Sequence, residues 1–142
     1  MSDYTCTTLN SIFRRSPVID LFEHVWVPEL KKEALCIGYF WYSDEQKLIY
    51  AIAENKSIVN KSMAKHYLEA HDFRLTGFYH QYYLNYNQPP YILFQLVRVE
   101  ATGNIHMICG LEWSKLTGWV YHLDNIHTPY CTDELIPFLV SN

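Results

Sequence analysis

An α+β fold is predicted here: a curved antiparallel sheet of about six strands packed against an N-terminal and a central helix. Three observations carry that expectation. Apolar residues recur at helical spacing near Val18–Val25 and again near Val59–Leu68. Residues 36–54 alternate in the manner of a hairpin, and four apolar runs after residue 73 are separated by short turns.

Taken in order, Ser16-Pro17 reads as an N-cap followed by proline at the first helical position, where the missing N–H costs nothing. Val18, Leu21, Phe22 and Val25 then form a stripe that Ile19 and Trp26 widen. Pro28 ends that helix or opens a second short one from Glu29 to Ala34. In the hairpin, Ile37, Tyr39 and Trp41 alternate with Gly38, Phe40 and Tyr42. Ser43–Lys47 turns the chain, and Leu48–Ala53 returns. The central helix spans Ile58–His71, with Val59, Met63, Ala64, Tyr67 and Leu68 on one side.

A four-strand meander closes the reading: Phe73–Leu84, Tyr91–Glu100, Ile105–Trp113 and Trp119–Leu123. Thr132-Asp133-Glu134 caps a last short helix that Pro137 limits. Within the meander Val97, Val99, Ile105, Met107, Cys109, Leu111 and Trp113 share one parity, the expected core face. The other parity mixes Ile92, Phe94, Leu96, Arg98, Glu100, His106, Ile108 and Glu112, a face that a helix, a second subunit or a partner would cover. This element order resembles the cone-shaped NTF2-like fold, and less closely the PAS and profilin-like folds. The resemblance rests on element order and transfers no functional residue.

Composition narrows the function. The 142 residues fit one domain able to bury a full core, without help from disulfides or metals. A formal charge of −4 argues against nucleic acid, whose phosphates need clustered Lys and Arg. Cys6, Cys36, Cys109 and Cys131 have no paired spacing, and the first residues show no basic region followed by an apolar run. The expectation is therefore a reduced, cytoplasmic protein with buried structural thiols. The stretch between Arg74 and Arg98 has no charged residue, yet its amides and the Pro89-Pro90 pair exclude a membrane span.

No phosphate loop, nucleophile elbow or HExxH motif is present. His122-x-Asp124-x-x-His127 has metal-type ligands, but its spacing matches no standard site and Asp124-Asn125 is ordinary turn chemistry. His66 and Glu69 read as a surface pair. Neither metal nor cofactor is expected.

Acid–base work would fall to a His or carboxylate desolvated among aromatics: His80, His106, Glu112, His122 or Asp124. Tyr79, Tyr82 and Tyr121 would then be oxyanion donors.

Two functions compete. The first is a small acidic interaction protein, for instance a toxin-immunity or inhibitor protein. It would bind through Phe78, His80, Tyr82, Ile92, Phe94, His106, His122 and Asp124, with Asp44-Glu45 and Asp133-Glu134 facing a basic enzyme. The second is an aromatic-lined cavity protein, or an NTF2-like enzyme, using His80, His122 and Asp124. A homodimer whose sheet faces cover each other is compatible with both. The lack of a catalytic signature favours the interaction protein.

Overall fold

The computed structural model describes residues 17, 19–54 and 64–138. It overturns the α+β expectation. Among the described residues the chain is a bent antiparallel sheet of ten strands with one six-residue α-helix.

The strands are β1 (Glu23–Val27), β2 (Lys32–Tyr42), β3 (Lys47–Ala53), β4 (Lys65–Leu68) and β5 (Arg74–Tyr79). Helix α1 (Gln81–Tyr86) follows. Then come β6 (Leu96–Val99), β7 (Ile105–Ser114), β8 (Gly118–Leu123), β9 (Tyr130–Cys131) and β10 (Leu135–Pro137). The expected N-terminal helix is replaced by β1, in which Glu23, Val25 and Val27 alternate inward with period two. Lys31 at φ 54° turns the chain from β1 into β2, which leaves no room for a helix over Glu29–Ala34.

The expected central helix fails as well, since residues 65–68 form β4 on the edge of β3 and only Ala70–Asp72 makes a 3-10 turn. Its residues 58–63 lie outside the described residues. The run from Phe73 to Leu84 splits, because Gly77 at φ 77° bulges β5 and His80 then caps α1. Of Tyr91–Glu100 only Leu96–Val99 is strand. The hairpin, β7 and β8 match the sequence reading closely, and Thr132–Glu134 is a 3-10 turn.

The two long strands organise the sheet. β2 pairs with β3 along one edge; on the other it pairs with β1 through Lys32–Leu35 and then with β7 through Gly38–Phe40. β7 repeats the pattern, pairing with β8 on one edge and with β6 and then β2 on the other. Each strand carries a register shift where its partner changes, at Ile37 and at Cys109, followed by a glycine. An extra residue kinks a strand and increases its twist, so the two ribbons can cross and diverge.

Both glycines are needed for contact. A Cβ on Gly38 would lie 2.2 Å from the Leu111 carbonyl oxygen, and one on Gly110 would lie 2.2 Å from the Phe40 ring.

The shift at Cys109 also corrects the expected face pattern. Before it, His106 and Ile108 share the inner side with Val97, while Ile105 and Met107 point outward with Leu96 and Arg98. After it, Leu111 and Trp113 turn inward and Gly110 and Glu112 outward. Inside the bend the core centres on Phe22, Val25, Leu35, Ile37, Tyr50, Ile108, Leu111 and Tyr121, with Tyr83 of α1 stacked 5.6 Å from Phe22.

Candidate functional surface

The eight binding residues expected from the sequence fall into separate places. Phe78 on β5 and Tyr82 on α1 are 72% and 62% exposed, and Ile92 is 64% exposed. Phe94 is half-buried at φ 70°, its ring 6.0 Å from Trp41 and its N–H donating to the Ile108 carbonyl. His80 is structural: it caps α1, with Nδ1 accepting from the Tyr83 N–H, and its ring lies 4.6 Å from that of Tyr83.

His106 and Asp124 do meet. The His106 Nδ1 lies 3.1 Å from the Asp124 carbonyl oxygen and 3.5 Å from its carboxylate. That carboxylate accepts a 2.8 Å bond from the Met107 N–H, so it ties the end of β8 to the start of β7. His122 points elsewhere, with its ring edge-on to Phe40 at 5.0 Å. The sequence motif that joined His122, Asp124 and His127 as possible metal ligands is thus not assembled; Glu69, His71 and Asp72 are the convergent trio among the described residues. Glu69 is held by Lys47 at 3.2 Å, and Asp72 accepts the Glu69 N–H. His66 pairs with Glu54 rather than Glu69.

The outer face over the crossing carries a cluster that the sequence reading only half supplied. Glu112 accepts a 2.8 Å bond from the Tyr67 hydroxyl and a 3.3 Å bond from Lys65 Nζ. Phe40 packs beside them, its ring 5.9 Å from that of Tyr67 and 5.0 Å from that of His122. Burial first, and the bond to Glu112 second, push the Tyr67 phenol up to about 12. Burial pushes the His122 imidazole below its ordinary value, and Glu112 opposes that shift. At neutral pH the cluster therefore holds a protonated phenol, a neutral imidazole and a carboxylate already engaged by two donors.

Neither Cys36 nor Cys109 is set up as a nucleophile. Burial raises Cys36 to about 12 and also raises Cys109, whose Sγ donates to the His122 carbonyl. Tyr121 is core: its hydroxyl accepts from the Tyr91 N–H.

A different arrangement stands at the far end of β6. Glu100 donates its N–H to the Glu134 carbonyl, 3.1 Å away, directly beyond the Val99–Leu135 pair. Glu100, Asp133 and Glu134 line an open cavity of about 340 Å³ together with Val99, Ala101 and Tyr130. Glu134 also accepts the Cys131 N–H at 2.9 Å.

Elsewhere Glu54 pairs with Lys32, Glu45 and Glu69 with Lys47, and Glu112 with Lys65. Among the described residues none of the three cavity carboxylates has a cationic partner. Two residues along β6, about 7 Å at strand rise, the outward side becomes apolar. There Ile136, Arg98 and Ile105 form one cross-strand row and Leu96 and Met107 the next. Arg98 is turned aside, its Nη1 donating to the Gly103 carbonyl.

Asp133-Glu134 was visible in sequence as an acidic pair. The sequence placed Glu100 only on a mixed strand face, and its meeting with Tyr130 and that pair was not visible, because only the β6–β10 and β8–β9 pairings produce it.

Comparison with protein-family models, with characterised proteins and with solved structures gave no match to this chain. The inhibitor and immunity expectations receive no support from them. Among the described residues no helix is long and apolar enough to cross a membrane.

Proposed function

We propose that this chain is a binding protein for a basic protein partner, which it engages through the β6–β10 end of the sheet. The observation that carries the reading is the juxtaposition there of three acidic side chains, without a cationic partner among the described residues, with an apolar strand face. Glu100, Asp133 and Glu134 surround one cavity, while Leu96, Ile105 and Ile136 stand exposed beside it.

An Arg or Lys side chain entering the cavity would meet negative charge and Tyr130, and its neighbours would cover the apolar rows. The overall charge of −4 favours encounter with a basic surface. Carboxylates already paired with a lysine could not serve this purpose as well. Glu112 is the clearest contrast, since Lys65 and Tyr67 already occupy it.

The test is capture from extracts of the source cells, with wild type and a Glu100→Lys/Asp133→Lys chain side by side. A basic protein retained by the first and lost by the second supports the reading. Equal retention by both refutes it.

A further inference from the structure

The chain contains one five-stranded unit twice, and from the differences between its copies we infer that Leu96, Ile105 and Ile136 determine which partner the β6–β10 face accepts. The assignment of these three residues rests on the partner-binding reading, whereas the repeat does not.

The repeat is visible in pairing and in irregular detail. The first five strands lie in the order β4-β3-β2-β1-β5 and the last five in the order β9-β8-β7-β6-β10. A 3-10 turn leads into the fifth strand of each, Ala70–Asp72 or Thr132–Glu134. The carboxylate that ends the turn, Asp72 or Glu134, accepts the N–H of Glu69 or Cys131 at 2.9 Å. Phe22 at φ 65° and Phe94 at φ 70° precede the first strands, and donate over 2.7 Å to the carbonyls of Cys36 and Ile108. A phenylalanine at positive φ is uncommon, so its return at the matching place reports one backbone plan.

Sequence agrees: Leu21-Phe22, Val25, Val27 and Gly38 recur at one constant spacing as Leu93-Phe94, Val97, Val99 and Gly110. The β2–β7 pairing relates the units by a two-fold axis through Tyr39 and Leu111. Exchanging them carries the Gly38–Glu112 pair onto the Gly110–Phe40 pair.

Equivalent positions separate what the common frame needs from what it does not. Glu134 matches Asp72 in its backbone bond and belongs to the frame. The outward faces differ. In the first unit Arg74, Trp26 and Glu33 form a cross-strand row, with His24 next along β1. In the second the matching row is Ile136, Arg98 and Ile105, with Leu96 next along β6. Leu96, Ile105 and Ile136 are 44%, 43% and 41% exposed. A frame that accepts His, Glu and Arg at these three places does not require apolar side chains there. Grouped apolar side chains left this open to water mark a surface that a partner covers.

The occupant is a segment of the basic partner with basic and apolar side chains two residues apart. Glu100 and Asp133 stand at the end of the row without a cationic partner among the described residues. In an extended segment, side chains two residues apart share one face at about 7 Å, the step from the cavity to the row.

The test compares wild type with a Leu96→His/Ile105→Glu/Ile136→Arg chain, which gives the second unit the residues of the first. With His neutral the net charge is unchanged. The probes are fluorescein-labelled peptides of Lys-Ser-Leu-Ser repeats and of Lys-Ser-Ser-Ser repeats, followed by fluorescence anisotropy. Wild type should bind the leucine peptide at least about tenfold more tightly than the other. The exchanged chain should bind both alike and melt within about 3 °C of wild type. An exchanged chain that keeps the preference overturns the role of the three residues, as does a wild type that binds both peptides equally. A large fall in the melting temperature of the exchanged chain overturns the equivalence of the units. Wild type that binds neither peptide overturns the partner-binding reading itself, and the assignment with it.

Discussion

The Tyr67 hydroxyl bonds to Glu112 at 2.8 Å across two intervening strands. Tyr67, Ala51, Gly38 and Glu112 form one cross-strand row from β4 to β7, and the two small residues between let the phenol lie flat over the sheet. Residues 45 positions apart in sequence are thereby joined over the point where the ribbons cross.

This bond has a pH signature. The folded pKa of Tyr67 stands near 12 against an ordinary value of 10. The neutral phenol is thus favoured by folding: its contribution is complete below pH 10 and is lost as pH rises through the interval to about 12. Spectrophotometric titration of Tyr67→Phe should lack one late-ionising phenol, although Tyr39, also near 12, remains. A late-phase amplitude equal to that of wild type would contradict the assignment.

His122 should behave in the opposite sense. Burial lowers its folded pKa, so its contribution is full above the unfolded value of 6.5 and fades as pH falls through the folded one. In an NMR titration its ring should ionise below 6.5, and Glu112→Gln should move it lower still, because Glu112 is the group that opposes the shift. An upward move on that substitution would contradict the arrangement.

The crossing itself predicts unequal costs for two alanines. In Gly38→Ala the new methyl meets a backbone carbonyl that cannot rotate away, and a loss of about 3 kcal/mol follows. In Gly110→Ala it meets the Phe40 ring, which can turn, and about 1 kcal/mol is expected. Urea denaturation at neutral pH measures both. Equal losses would mean that the strands do not approach each other at Gly38.

How far the sequence foretold this molecule depends on the residue. The hairpin at 36–54 was readable because period-two alternation and the Ser43–Gln46 turn agree, and the turn is closed by the Gln46 side chain bonding to the Ser43 carbonyl. The stripe of Leu21, Phe22 and Val25 was misread because short apolar runs satisfy helix and strand periods alike; Leu21 and Phe22 lie in a turn, and pairing with β2 and β5 puts Val25 on a strand. Cys109 defeated the face assignment: one extra residue reverses the parity of everything after it, and no composition signal marks a bulge. Phe78 and Tyr82 stand out in sequence as uncharged aromatics, and the structure leaves both exposed. Glu100 was legible only as one member of a mixed strand face, and its meeting with Tyr130, Asp133 and Glu134 depends on long-range pairing that leaves no local trace.

Phe94 and Phe78 should now part company, although sequence grouped them. Phe94→Glu places a carboxylate against Trp41 and should cost about 2–3 kcal/mol, visible as a large fall in melting temperature. Phe78→Glu, on an exposed strand position, should stay within about 0.5 kcal/mol of wild type. Similar melting temperatures for the two would show that Phe94 is not held in the core.

The most direct measurement of the central claim is the salt- and charge-dependence of partner capture at the β6–β10 end. Wild type should retain a basic protein at low salt and release it near 0.5 M NaCl, on the order of the ionic strength at which exposed ion pairs are screened. The Glu100→Lys/Asp133→Lys chain, folded to the same circular dichroism spectrum, should retain none. Retention by both chains at both salt concentrations, or no protein retained by wild type, would contradict the account.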